Sequence, residues 1–324
     1  MKRKIIFLAL LGNLLFLSCN NNDTHIAKVA ILQDKPQEWA DALKLGFSDG
    51  LAEQGYEIGK DVILIPRSAN GDPQAFSTLV ESFAKSKYDI IYTLGTQASQ
   101  DMLTKTKEKN IIFGAVTDPV KANLFKGNLS TPLGNITGTQ DLWPYPAQFD
   151  LLKALFPNIK KIGILYNTSE VNSQVSVEFI KKECSRTNIQ LEQRTITQVS
   201  EVITATNALL NSGIELLFIP ADNTAQTSAP TIIAACNKKN IPVFTGISGI
   251  VETGAIATVG TKYYELGKVI AKQAAEILFK KKKAQEVPVA IADKGDIYLN
   301  MKVAKALSIA VPDSIVKKAF KIYN

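Results

Sequence analysis

The sequence predicts an α/β protein made of two doubly wound parallel-sheet lobes joined by three crossover segments. From residue 28 short apolar runs alternate with helical patterns, and near residue 162 the alternation starts again as a second series of similar length. No Gly/Ser- or Pro-rich spacer separates the two series, so the joints are expected to be crossing strands and not a flexible linker. At 324 residues, 46% hydrophobic and 21% charged, the chain is long enough to bury two cores and too apolar for disorder.

Residues 1–19 read MKRKIIFLALLGNLLFLSC. A basic start, an apolar stretch from Ile5 to Leu17 and then a small residue are the parts of an export signal, and Gly12 and Asn13 leave it short of a comfortable membrane span. Residues 1–18 are therefore expected to be removed, with 19–27 as a polar tether. Strands suited to a buried parallel sheet follow at 29–33, 62–66, 90–94 and 111–116, with helices at about 37–54, 73–85 and 97–107. The second series has strands at 162–166, 191–196, 216–220 and 242–246, with helices at about 173–186, 200–211 and 224–238. The segments 135–141 and 255–260 read as strands passing between lobes. A long amphipathic helix from Tyr263 to about Lys282 is expected to pack back on the first lobe, and 287–293 with the helix after Asn300 to return to the second. The expected division is 28–140 with 260–285 as the N-terminal lobe, and 141–259 with 286–324 as the C-terminal lobe.

Composition removes several function classes. The 37 Lys and Arg against 30 Asp and Glu give a formal charge of +7, but Lys2–Lys4, Lys280–Lys283 and Lys317, Lys318 and Lys321 hold much of it in local runs. No nucleic-acid partner is expected, and the Lys280–Lys283 run reads as a solvated helix end. One histidine, His25, cannot build a His-based metal site or a Ser–His–Asp triad, so no metal, cofactor or catalytic residue is expected. Cys184 and Cys236 fall in helical patterns and read as small buried thiols.

Ligands of parallel α/β sheets gather where strand carboxyl ends meet helix N-termini. Here those ends carry Gln33 and Trp39 after the first strand, Thr96 and Gln97 after the third, and Thr117 and Asp118 after the fourth. In the second series they carry Asn167, Ser169, Glu170, Asn172 and Ser173, then Asp222 and Asn223, then Ser248. Each of these residue types is also a common helix cap. Six such turns on facing edges line a cleft with donors and acceptors.

Two resemblances follow. Leu-Ser-Cys at 17–19 resembles the lipobox of bacterial lipoproteins, which implies that Cys19 becomes a lipidated N-terminus holding the domain at a membrane. The stretches 40–62, FGAVTDPV (113–120), GNITGTQD (134–141), IGILYNTSEVNS (162–173), IPADN (219–223) and 254–278 resemble, in order, the bacterial ABC-transporter substrate-binding proteins whose studied members bind tryptophan, phenylalanine or related amino acids. The resemblance spans residues 28–293. It implies a type I periplasmic-binding-protein fold that closes as a monomer on a small ligand and delivers it to a permease with its ATPase.

Residue by residue it implies contacts from Thr96, Gln97, Thr117, Asp118, Asn167, Ser169, Glu170, Asn172, Ser173, Asp222 and Asn223. A zwitterionic amino acid needs donors for its carboxylate and an acceptor for its ammonium, for which Asp222 is the first choice and Asp118 and Glu170 the competitors. Gln37 and Glu38 stand where the family commonly has a His-Pro pair, and Trp39 where a small residue is usual. Trp39 stacks on a planar ligand, fills space and shrinks the pocket, or is simply packed at the lobe surface. The pair Tyr263-Tyr264 is expected to pack at the hinge. The alternatives are a sensory protein signalling to a membrane receptor, and the same fold binding a nucleobase or a sugar.

Overall fold

A computed structural model describes residues 25–292 and 295–324. The export signal and Cys19 lie outside the described residues.

The chain opens with β1 (Ala27–Gln33), α1 (Glu38–Glu53), β2 (Val62–Ser68), α2 (Pro73–Lys85), β3 (Ile90–Leu94), α3 (Thr96–Lys105) and β4 (Asn110–Val116). A small hairpin, β5 (Lys126–Gly127) and β6 (Pro132–Leu133), leads to β7 (Ile136–Gln140). Residues 141–144 cross to the second lobe, which begins with α4 (Tyr145–Leu155), β8 (Lys161–Asn167), α5 (Val171–Thr187) and β9 (Gln190–Ile196). It continues through α6 (Val202–Asn211), β10 (Leu216–Ile219), α7 (Asn223–Thr227), α8 (Ala229–Asn237), β11 (Val243–Thr245), α9 (Ser248–Thr253) and β12 (Ala257–Gly260). The chain then returns for α10 (Tyr263–Leu278) and β13 (Ala290–Ile291), and ends in the second lobe with β14 (Asp296–Asn300), α11 (Met301–Ala306), α12 (Asp313–Val316) and β15 (Lys321–Tyr323).

The first sheet has the order β13-β7-β4-β3-β1-β2 and is parallel throughout. The second has the order β15-β14-β12-β11-β10-β8-β9, with β14 antiparallel to β12. Each contains the doubly wound order 2-1-3-4-5, so strand order reverses between β1 and β3 in one lobe and between β8 and β10 in the other. The central strands are buried on both faces, which is why they read as continuous apolar runs.

Local signals set several boundaries. Asp72 caps α2 by accepting from the amides of Gln74 and Ala75 at 2.8 and 2.9 Å, with Pro73 as the first helical residue. Asn188, left-handed at φ 54°, ends α5. The helix expected over 224–238 is instead two, because Pro230 lacks an amide hydrogen and α8 starts anew after Ser228. The helix α4 was not expected, since its buried residues Tyr145, Gln148, Phe149, Leu151, Leu152 and Leu155 occupy more than one face and blur the period.

One lobe boundary moves. Residues 287–292, expected in the second lobe, stay with the first: β13 adds to the free edge of β7, with Ala292 N donating to Gln140 O at 3.0 Å and Thr137 Oγ1 donating to Val287 O at 2.6 Å. The chain is back in the second lobe at β14, which begins at Asp296.

Helix α10 packs on α1, as its amphipathic pattern requires, and the helices touch backbone to backbone through Gly46, Gly50 and Gly267. Cys184 and Cys236 are buried and free, and burial pushes both thiols up to about 12. Lys280 and Lys282 both pair with Glu276 in the last turns of α10 and beyond. Among the described residues no helix is long and apolar enough to cross a membrane.

Candidate functional site

Both reversal points face one cleft. Lobe one contributes Trp39 from α1, Gly95 and Thr96 from the β3–α3 turn, and Ala115 and Thr117 from the end of β4. Lobe two contributes Asn172 from α5 and Ala221, Asn223 and Gln226 from the β10–α7 turn and helix. The crossings supply the floor with Asp141, Trp143 and Tyr263. Five sequence-predicted residues thus come together on the cleft wall: Trp39, Thr96, Thr117, Asn172 and Asn223.

Local conformations serve this wall. Gly95 takes φ 86° so that the chain can turn from β3 into α3, placing the Thr96 hydroxyl at a helix start. Ala115 is left-handed at φ 55° inside β4, where the register with β7 shifts, and such strain in a non-glycine residue concentrates at binding sites.

Asp141 is the ionisable group of the cleft. It is buried, its Oδ1 accepts from Thr261 Oγ1 at 2.8 Å, and its Oδ2 accepts from Tyr263 Oη at 2.8 Å. Burial pushes its carboxyl up to about 7, against the opposing effect of these hydroxyl donors. Trp143 Nε1 donates to Tyr263 Oη at 3.3 Å, and the Trp143 ring lies so close to Gly246 that a Cβ there would be 2.2 Å from Cε3. One carboxylate thus ties the first crossing to the second and to the start of α10.

The remaining polar residues of lobe two form a supporting network. Asp222 is fully buried and does not reach the cleft wall. Its Oδ2 accepts from Asn167 N and, at 2.6 Å, from Ser173 Oγ, while its Oδ1 caps α7 by accepting from Ala225 N at 2.7 Å. Glu170 accepts from the amides of Asn223 and Thr224 at 2.8 and 3.1 Å, so it too serves the start of α7 and not its own helix. Burial, and after it the Glu170 charge, raises the Asp222 carboxyl. Asn172 Nδ2 donates to Ala221 O at 2.8 Å and to Glu170 Oε2 at 3.1 Å, fixing the cleft-lining amide. Asn167 Nδ2 donates to Thr224 Oγ1 at 3.0 Å. The ammonium partner expected at Asp222 is therefore a structural carboxylate with its acceptor positions filled from within. Asp222→Ala is expected to cost about 2–4 kcal/mol in urea unfolding, because Ala225 N, Asn167 N and Ser173 lose a shared acceptor.

Other expected residues stand aside. Asp118 caps its own turn, accepting from Val120 N and Lys121 N at 3.1 and 3.0 Å. Ser169 is exposed, with its amide donating to Asn167 Oδ1 at 2.9 Å. Gln97 turns along α3 to Asp101 at 3.0 Å and Gln33 is held by Lys35 O and Lys44 Nζ, both at 2.9 Å, but both line a small cavity that adjoins the cleft at Trp39, Thr96 and Asn223. Ser248 lies in a groove on the far side of Trp39. Tyr264 packs away from the cleft, donating to Asp49 at 2.8 Å, whereas Tyr263, expected only at the hinge, also lines the site. Asp141, Trp143 and Gln226 were missed. The available signal for the first two was their position directly after the first crossing strand.

Residues 28–323 match the family described as ABC transporter substrate binding protein. A tyrosine-binding protein of Clostridioides difficile (strain R20291) is 32% identical over 318 residues, covering 94% of this chain and 91% of its own length. Among solved structures, an ABC domain from Streptococcus pneumoniae in complex with L-Trp is 31% identical, with 91% of this chain and 99% of that chain covered and a TM-score of 0.87. The ligand-free, open structure of a substrate-binding protein with adhesive properties from Clostridium difficile is 32% identical, with coverage of 92% and 100% and a TM-score of 0.71.

Proposed function

Because the chain belongs to the ABC transporter substrate-binding protein family, we propose that its two lobes close on a free amino acid, with aromatic side chains favoured, and present the closed form to a permease with its ATPase. The family binds solutes without transforming them and works outside the cytoplasm. Cys19 carries the lipid that keeps the domain beside its membrane partner.

Asp141 carries this reading. It is a buried carboxylate on the wall of a cleft whose lining, among the described residues, contains no Lys, Arg or His. Burial raises this carboxyl to about 7, and above that pH it is a charge without a cation beside it, a position that a ligand bringing its own positive charge satisfies. The ligand's own carboxylate then faces the hydroxyls of Thr96 and Thr117 and the start of α3, which favours negative charge. Trp143 and Tyr263 provide the apolar wall for a ring. A tyrosine-binding relative and a relative in complex with L-Trp support the ligand class.

Thermal unfolding of residues 20–324 tests it. L-tyrosine, L-tryptophan or L-phenylalanine at 100 times its dissociation constant stabilises by about 2.7 kcal/mol, a rise of several degrees. Tryptamine, which lacks the carboxylate, and indole-3-propionate, which lacks the ammonium, are expected to give no shift. A shift from sugars or nucleobases and none from amino acids overturns the reading.

A further inference from the structure

The cleft has little room. Its free space is about 30 Å³, enough for one or two water molecules, whereas small-molecule sites commonly measure about 300–1,000 Å³. Trp39 lines the cleft from the first lobe. Its ring lies 5.9 Å from that of Tyr263 and edges against Gly95, where a Cβ would be 3.4 Å from Cη2. Directly behind it, between the lobes, is a groove of about 450 Å³ walled by Trp39, Tyr263, Tyr264, Tyr298 and Phe320. Trp39 and Tyr263 are common to cleft and groove, so the indole is the partition between a small space and a larger one.

One hydrogen bond holds the partition. Gln37 stands at the N-cap of α1, but its side chain caps nothing; Oε1 accepts the Trp39 indole N–H instead.

We infer that Trp39 sets the size of ligand admitted: it occupies the side-chain end of the cleft and swings into the aromatic groove behind it when an aromatic amino acid binds. The inference rests on the amino-acid reading above. The groove offers the indole the rings of Tyr264, Tyr298 and Phe320, with Glu38, Lys262, Glu265 and Asp296 at its polar edges, so the displaced ring keeps aromatic neighbours. A ligand that binds only the displaced state has its affinity reduced by the fraction of protein in that state, about tenfold for a fraction of about one tenth.

Calorimetric titration of the protein and of Trp39→Ala, Trp39→Val and Gln37→Ala with L-tyrosine, L-phenylalanine and L-alanine tests the inference. The two Trp39 variants are expected to bind the aromatic ligands about tenfold more tightly, Gln37→Ala to fall between them and the parent, and L-alanine to gain nothing. In the parent, L-phenylalanine is expected to shift tryptophan emission, and Trp39→Ala to reduce that shift to the part that comes from Trp143, the other tryptophan of the cleft. Unchanged or weakened aromatic binding in both Trp39 variants makes Trp39 a fixed wall and overturns the inference while the amino-acid reading stands. Absence of amino-acid binding in all four proteins overturns the reading and the size rule with it.

Discussion

Asp141→Asn is expected to abolish the ligand-induced rise in melting temperature while making the ligand-free protein more heat-stable at pH 8. Both effects have one origin. Asp141 is buried with two hydroxyl donors and, among the cleft residues described, no cation. Asparagine keeps the shape but cannot pair with an ammonium, and removing one partner of a buried hydrogen-bonded charge pair costs about 2–5 kcal/mol, roughly 30- to several-thousand-fold in affinity. Calorimetry with L-tyrosine reads that loss directly. Retained affinity would mean that the ammonium is held elsewhere.

The stability arm follows from the same carboxylate. Its pKa rises from 3.8 to about 7 on folding, chiefly through burial. The folded state then holds more protons than the unfolded state between those values, so stability falls as pH rises from about 4 to about 7. Above 7 the full penalty is present, at most about 4 kcal/mol for a shift of about three units. The asparagine variant escapes it, less what is lost where Nδ2 faces a hydroxyl donor. Melting curves of the ligand-free protein should therefore separate above pH 7 and converge near pH 4. Ligand affinity in the parent should run the other way, falling as pH drops below about 7 and Asp141 takes up a proton. A site that holds an unpaired charge gives up stability for binding.

What sequence reading delivered depended on the kind of signal. The strands were legible because a strand buried on both faces is apolar throughout, as in Ile90–Leu94 and Leu216–Ile219. The reversal points were legible because small polar residues cluster at strand ends, and Thr96, Thr117, Asn172 and Asn223 do meet across the cleft. Which polar residue faces the cleft and which supports it was not legible. Asp222 and Glu170 sit in the same two turns as Asn223 and Asn172, and only the geometry of α7 assigns both carboxylates to its amides. Asp141 and Trp143 escaped because a crossing segment has no period, so its side chains acquire meaning only when both sheets are in place. The return of 287–292 to the first sheet escaped for a similar reason, since two-residue edge pairing leaves almost no pattern.

The largest stability loss is expected from Gly46→Ala or Gly267→Ala. A Cβ at Gly46 would lie 1.9 Å from the carbonyl oxygen of Tyr264, and one at Gly267 would lie 2.3 Å from that of Leu43 and 2.8 Å from Phe47 N. These are backbone atoms of packed helices, so relief requires α1 and α10 to separate and not a side chain to turn. Overpacking of this kind costs about 3 kcal/mol or more in urea unfolding. The two substitutions press on the same helix pair, so the double variant should cost less than the sum of the singles. Gly55→Ala is the contrast: its φ is 86° with nothing within 4 Å of a Cβ, leaving only a left-handed backbone penalty of about 1–2 kcal/mol. The consequence reaches the cleft, because α1 carries Trp39 in its first turn and α10 begins at Tyr263. A wedge between the helices therefore moves the two rings apart. A variant that folds at low temperature should have lost selectivity among ligands as well as stability, whereas Gly55→Ala should lose stability alone.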